Sequence, residues 1–233
     1  MSHIHLPDGI LPAWLWVSGY LLAGLLIGIL WRRRQTQDDP GKFASLGIFS
    51  AIMILVMMVE VPPFSYHFNL SVVAGIILGP QSAVLAALIV NIVLALIGHG
   101  GITTIGLNTL LLSIEMIVGY YVFRMLRRLR VSLVKAGFIA TIAGLAAGAS
   151  AGYGIIFVGS PWIDRFLRSA SSPGEELGPG IEGASLNLVR LAVIMFGIGA
   201  VGWILEGILS AAILSYLAKV YPGLIDENTQ DES

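Results

Sequence analysis

The sequence predicts an all-α, polytopic membrane protein that forms a single domain over residues 1–233. Of its 233 residues, 56% are hydrophobic and only 12% are charged, about half the charged share of a soluble domain. Several apolar runs are long enough to span ~30 Å of hydrocarbon as helices. The 28 glycines agree with this class, since glycine is commoner in transmembrane helices than in soluble ones.

Composition also excludes several classes of function. The formal net charge of -1 leaves no basic excess, so we expect no nucleic-acid partner. The absence of cysteine excludes disulfides, thiolate metal sites and cysteine nucleophiles. The only Gly-Lys pair, at 41–42, is followed by Phe43, so the chain has no Gly-x4-Gly-Lys-Ser/Thr phosphate loop. We therefore expect no ATPase site, no other enzymatic centre and no cofactor of the chain's own.

The first apolar run, 11–31, predicts a helix that leaves the N-terminus outside the cell. Three arginines, Arg32 to Arg34, follow it directly, and no lysine or arginine precedes it. A cleavable signal peptide has the opposite order, with its positive charges first. The further apolar runs are 43–63, 70–98, 107–123, 133–158 and 186–218.

The run 70–98 fits either one helix of ~44 Å or two short ones. Two crossings place both basic loops, 32–42 and 124–135, in the cytoplasm, whereas one crossing separates them. We therefore predict a turn at Gly79-Pro80, about seven transmembrane helices and a cytoplasmic acidic tail, 219–233. Because each limb is too short to cross unaided, the outer segment before it, 64–69, should re-enter the protein as non-helical backbone.

Two sets of glycines recur four residues apart, a spacing that lets helices approach closely. One set is Gly24 and Gly28 in the first apolar run; the other is Gly144, Gly148 and Gly152 in the fifth. The spacing predicts either packing within the protein or docking of a partner membrane subunit.

The four histidines all fall on the outer side of this topology. They are His3 and His5 in the external N-terminal segment 1–10, His67 in the re-entrant loop, and His99. A single histidine is commonly a hydrogen-bonded structural residue, but several converging imidazoles suit nickel, copper, cobalt or zinc.

The N-terminal amine adds a second kind of ligand. If Met1 is removed, Ser2 carries the amine and His3 becomes the second residue; if Met1 is retained, His3 is the third. Either arrangement permits a planar chelate through amine, amide and imidazole nitrogens, which favours Ni(II) or Cu(II).

Polar residues inside the apolar runs are further candidates for function. They could form hydrogen bonds between helices, or they could line a path for protons or cations. Glu60 could also form a hydrogen bond that orients His67. These residues are Glu60, Glu115, Glu206, Asn91 and Asn108.

Three motifs together resemble the CbiM/NikM family. They are HLPDGILP at 5–12, SYH at 65–67 followed by LGP at 78–80, and GHGGITTIGLNT at 98–109. Members of this family are the substrate-binding membrane components of energy-coupling-factor ABC transporters for cobalt and nickel. The motifs cover the chain as far as Asn108, and the remainder resembles the family in length and span pattern.

The resemblance implies a square-planar site for Co²⁺ or Ni²⁺. Its ligands would be the terminal amine, the amide and imidazole of a histidine near the chain end, and the loop histidine, which His67 matches. His5 matches the N-terminal histidine by motif, whereas His3, with Ser2 as the terminal amine, matches it by distance from the chain end. The motif Pro-Asp-Gly at 7–9 would form the turn that folds the terminus back.

The resemblance also implies that 98–109 forms the wall of the site. Thr103 and Asn108 would supply hydrogen bonds that fix ligand orientation, while a ligand role for His99 stays open.

The partners implied are a membrane coupling subunit, a pair of cytoplasmic ABC ATPases and a small accessory membrane subunit, in the inner (plasma) membrane. The chain would capture Co²⁺ or Ni²⁺ outside for ATP-driven uptake. The alternatives are a stand-alone secondary transporter or channel for divalent cations, with a path along the glutamates, and a membrane enzyme, which the outward histidines do not support.

Overall fold

Helices form every regular element in the described part of the chain. The computed structural model describes residues 6–34, 40–59, 67–170, 187–221 and 223. The helices are α1 Ala13–Arg34, α2 Pro40–Met58, α3 Ser71–Leu96, α4 Ile105–Arg128, α5 Leu133–Ala170 and α6 Leu188–Ala192, which continues through a π-helical turn, Val193–Ile198, into α7 Gly199–Val220.

Five helical stretches within these ranges are long and apolar enough to cross a membrane. The predicted all-α, multi-pass membrane fold is therefore confirmed. The stretches are Ala13–Leu30, Ser71–Leu96, Ile105–Arg128, Leu133–Arg165 and Leu188–Val220, with Phe43–Met58 a shorter apolar helix.

Helix α3 bends sharply at the predicted Gly79-Pro80 position. Gly79 has φ 71 and ψ 165, a non-helical conformation that glycine adopts without strain and that its place before proline also favours. A straight helix of 26 residues would separate its ends by ~39 Å. The rings of His67 and His99, which flank α3, have centroids only 5.3 Å apart. The chain therefore reverses direction within α3 and forms two limbs, 71–78 and 80–96.

Apolar clusters hold the helices around α4. One cluster joins α2, both limbs of α3 and α4, and it includes Met53, Ala86 and Met116. A second joins the first limb of α3 to α4, α5 and α7. A third includes Leu6, Leu11 and Leu107, so the segment before α1 packs directly against α4.

The two glycine sets have different surroundings. A Cβ built on Gly144 would lie 2.6 Å from the carbonyl oxygen of Glu115, and one on Gly148 would lie 2.3 Å from its Cγ. These two glycines therefore serve close packing between α4 and α5. Among the described residues, nothing lies within 4 Å of a Cβ built on Gly24 or Gly28, so neither glycine packs closely against another described helix.

The helix that contains the fifth apolar run, 133–158, extends beyond that run. Helix α5 continues through Pro161 to Ala170. Hydropathy marks the part of a helix that suits lipid, whereas backbone hydrogen bonding sets its end, so charged residues such as Asp164 and Arg165 extend it.

Candidate metal centre

His67 and His99 are the two histidines that lie in the described ranges, and the fold brings them together. Their rings meet edge to face, with centroids 5.3 Å apart and an interplanar angle of 69°. His67 lies just before the first limb of α3, and the backbone amide of His99 donates to the carbonyl of Leu94 near the end of the second, at 2.8 Å. The reversal at Gly79 therefore creates the histidine pair.

The N-terminal segment docks beside this pair through Leu6, which is 1% exposed. The Leu6 amide donates to Oδ1 of Asn108 at 3.0 Å. Its carbonyl oxygen accepts hydrogen bonds from the Gly101 amide at 3.3 Å, from Nδ2 of Asn108 at 3.2 Å, and from the Thr104 hydroxyl. Both peptide groups of Leu6 are thus hydrogen-bonded to the loop that carries His99 and to the start of α4. These bonds hold the N-terminal segment in place at Leu6.

Asp8 fixes the turn that follows Leu6. Its carboxylate accepts hydrogen bonds from the amide of Ile102 at 2.9 Å, and from the amide of Thr103 at 2.7 Å and its hydroxyl. The Thr103 hydroxyl is the main cause that lowers the pKa of Asp8, because these donors favour the carboxylate. The turn at Asp8 and Gly9, where φ is 85, agrees with the turn predicted at 7–9.

One glycine of the motif around His99 is required because the N-terminal segment passes very close to the loop. A Cβ on Gly101 would lie 2.6 Å from the Asp8 amide nitrogen and 2.6 Å from the Thr104 hydroxyl. Any larger residue would push the N-terminal segment off the loop.

Several predicted site residues lie outside the described residues. These are Ser2, His3 and His5, together with Glu60. In the described ranges no group of three or more His, Cys, Asp or Glu side chains could hold a metal. The full ligand set therefore stays a prediction.

The buried carboxylates of Glu115 and Glu206 meet at the base of the His67 loop. Oε2 of Glu115 accepts hydrogen bonds from Nδ2 of Asn69 at 2.8 Å and from the Ser71 hydroxyl at 2.9 Å. Oε1 of Glu206 accepts from the backbone amides of Leu70 at 3.0 Å and Asn69 at 3.3 Å. The sequence left two roles open for these glutamates, hydrogen bonding between helices and a proton or cation path. The contacts show hydrogen bonding between separate elements of the fold.

Asn69 and Ser71 were not singled out from the sequence. The Ser71 amide donates to Oδ1 of Asn69 at 2.8 Å, which is an Asx turn at the start of α3. The pattern Asn-x-Ser before an apolar run is a signal that could have marked these residues. Asn91, by contrast, donates to the carbonyl of Ala87 within its own helix, at 2.8 Å.

Comparison with known proteins places these features in one family. The family model for the cobalt uptake substrate-specific transmembrane region, CbiM, matches residues 5–224. The chain is 25% identical to the cobalt transport protein CbiM of Sorangium cellulosum, over 96% of this chain and 95% of that protein. It is 30% identical to a protein of Archaeoglobus fulgidus that is named as a fused nickel transport protein, NikMN, over 96% of this chain and 68% of that protein.

The fold is also similar to solved structures. A crystal structure of a transition metal transporter superimposes with a TM-score of 0.72 and 22% identity, over 99% of this chain and 100% of that chain. A truncated transition metal transporter gives a TM-score of 0.71 over 93% of this chain. These likenesses establish the fold of the helical bundle.

Proposed function

Because the chain belongs to the CbiM family of cobalt uptake transmembrane proteins, we propose that it is the substrate-binding membrane component of an energy-coupling-factor transporter for Co²⁺ or Ni²⁺. One observation carries the proposal. The N-terminal segment is hydrogen-bonded through Leu6 to Asn108 near the start of α4, and through Asp8 to the preceding loop, whose His99 contacts the ring of His67. A chain end anchored beside a histidine pair is what an amine and imidazole site requires.

The proposed ligands are nitrogen donors from the chain end and from His67. The terminal amine of Ser2, or of Met1 if it is retained, would bind with the amide and imidazole of His3 or His5. Four residues of extended chain reach ~13 Å, so the residues before Leu6 can fold back over the site in either register. The metal is cargo, and we propose no cofactor of the chain's own.

Isothermal titration with Ni²⁺ tests the ligand set. An N-terminal tag removes the free amine, and His67→Ala removes the opposite ligand, so both should abolish tight binding. Single His3→Ala and His5→Ala variants decide the register. A C-terminal tag on the tail 219–233 is the matched control and should bind as the untagged protein does. Undiminished affinity with the N-terminal tag would refute the amine ligand.

We propose seven crossings, with the N-terminus outside and the tail 219–233 in the cytoplasm. The reversal at Gly79 supports the two short limbs. Asn69 contacts Glu115, which lies ten residues, or ~15 Å, along α4, and this depth supports a re-entrant segment 64–69.

Single cysteines test this topology cleanly, because the chain has none of its own. Cysteines placed in 32–42 and in 124–135 should both resist an impermeant thiol reagent on intact cells. Labelling of the second loop alone would mean that α3 crosses once.

We propose as partners a membrane coupling subunit, two cytoplasmic ABC ATPases and a small accessory membrane subunit, all at the plasma membrane. The absence of a phosphate loop from the sequence supports this division of labour. Reconstituted alone into vesicles, the chain should bind one divalent metal but transport little. Robust uptake of Ni²⁺ or Co²⁺ without ATPases would instead favour the stand-alone transporter or channel.

A further inference from the structure

We propose that Glu115 and Glu206 are positioning residues, which fix the peptide at 69–71 and thereby set the orientation of His67 toward the metal. The inference rests on the proposed function, since it assigns a role to groups behind that site. The two glutamate side chains act in this role as hydrogen-bond acceptors.

The two carboxylates converge on three consecutive residues from two different helices. Glu115 on α4 binds the side chains of Asn69 and Ser71, while Glu206 on α7 binds the backbone amides of Asn69 and Leu70. Both glutamates are 1% exposed. Together they hold one segment by its side chains and by its main chain, so it can neither rotate nor slide independently of α4 and α7.

The segment they hold has a conformation that needs such support. Leu70 has φ 52 and ψ 20, the left-handed region that residues with a side chain rarely adopt. The Leu70 amide is one of the two that share Oε1 of Glu206, and the Asx turn between Asn69 and Ser71 closes the same bend. Because this bend joins α3 to the chain that leads back to His67, its geometry sets the direction in which the histidine leaves the helix.

The packing around Glu115 is an independent observation in favour of this role. Gly148 on α5 lies so close that a Cβ there would be 2.3 Å from Cγ of Glu115 and 2.5 Å from its Oε1. A carboxylate inside a membrane bundle is costly, and here α5 leaves room for one at the position that contacts Asn69. An apolar side chain would fill the same space without binding the loop.

The test compares acceptor-preserving and acceptor-removing variants of the full chain. Glu115→Gln keeps a carbonyl oxygen that can accept from Asn69 and Ser71, whereas Glu115→Leu keeps the bulk and removes both bonds. Glu206→Gln and Glu206→Leu repeat the comparison at the backbone amides. Asn91→Ala is the control, since it removes a buried amide from α3 that bonds within its own helix.

We expect the leucine variants to lose at least tenfold in Ni²⁺ affinity and to lose the visible absorption band of planar Ni(II), together with the preference for Ni²⁺ over Zn²⁺. The glutamine variants should retain all three, and the control should behave as wild type. The melting temperature in detergent, measured alongside, should fall more for the leucine variants than for the control, since each removes the acceptor from two buried donors. Affinities are therefore compared at a temperature at which every variant is folded.

Two outcomes would overturn the inference. One is a folded Glu115→Leu protein with wild-type affinity and spectrum. The other is a glutamine variant that binds Ni²⁺ as weakly as its leucine counterpart. That result would mean that the charge of the glutamate, and not hydrogen-bond acceptance, supports metal binding. If a leucine variant does not fold, Asn69→Ala, with Asn69→Ser as its conservative partner, must show the same loss and rescue. Failure of wild-type protein to bind Ni²⁺ would refute the proposed function instead, so the two failures are distinguishable.

Discussion

Asn108 is the residue whose loss should separate metal binding from the stability of the bundle. Its side chain, 4% exposed, pairs with the Leu6 peptide by accepting from the amide at 3.0 Å and donating to the carbonyl at 3.2 Å. Asn108→Leu keeps the branching of the side chain but removes both bonds to Leu6, together with a third that Nδ2 donates to the Thr104 hydroxyl at 3.3 Å. We expect the N-terminal segment to dock less firmly while α4 remains packed.

The size of the effect follows from which groups are left without partners. The Leu6 carbonyl keeps the Gly101 amide and the Thr104 hydroxyl, so only the Leu6 amide is orphaned. A buried donor without an acceptor costs about 1–3 kcal/mol. Since only the docked state presents the chain end to the metal, the apparent Kd for nickel should rise by about 5- to 150-fold.

The assay is isothermal titration with Ni²⁺ on untagged protein, paired with thermal unfolding. Thr141→Val is the matched control, because the buried Thr141 hydroxyl on α5 donates to the carbonyl of Gly137 within its own helix, at 2.9 Å. This control should keep wild-type affinity. Wild-type affinity in Asn108→Leu, or equal losses in both variants, would refute the reasoning.

Two further predictions concern helix packing and pH. Gly148→Ala should destabilise the protein by about 1–3 kcal/mol, because its Cβ would lie 2.3 Å from Cγ of Glu115. Gly24→Ala is the control and should leave stability unchanged, since no atom of the described residues lies within 4 Å of its Cβ. Unchanged melting of the Gly148→Ala protein in detergent would contradict the close packing. Because the Thr103 hydroxyl lowers the pKa of Asp8 from 3.8, the stabilisation from ionised Asp8 is complete above that value and is lost as pH falls through the lowered pKa. The difference in melting temperature between wild type and Asp8→Asn should therefore be constant at neutral pH and shrink below about pH 4, and a difference independent of pH would count against the Asp8 turn.

Features encoded by neighbouring residues could be predicted from the sequence. The bend in α3 is one, because Pro80 restricts the residue before it and Gly79 accepts positive φ. The turn at Asp8 is another, since Asp and Gly favour turns locally. Because a bend in α3 returns the chain to the side of the membrane from which it came, it also predicted that His67 and His99 lie on the same side.

Features that depend on distant contacts could not be predicted. Hydropathy identifies Glu115 and Glu206 as buried carboxylates, but it carries no information on which element their oxygens face. Their shared partner at 69–71 depends on how α4, α7 and the His67 loop meet in three dimensions. The end of α5 at Ala170 could not be predicted either, because an apolar run indicates the part of a helix that lies in lipid and the helix can continue beyond it.

The depth of the bend before α3 has a consequence for the distance that cargo must travel. Asn69 is bound at a level ~15 Å along α4, about half of a hydrocarbon layer ~30 Å thick, and His67 is two residues away. Because the ring of His67 meets that of His99 on the loop before α4, a cation bound at the proposed site would lie between that loop and the level of Glu115. Under the proposed function, such a cation would still face the packed layer formed by Glu115, Asn69 and Ser71, so its release on the opposite side would require these contacts to open.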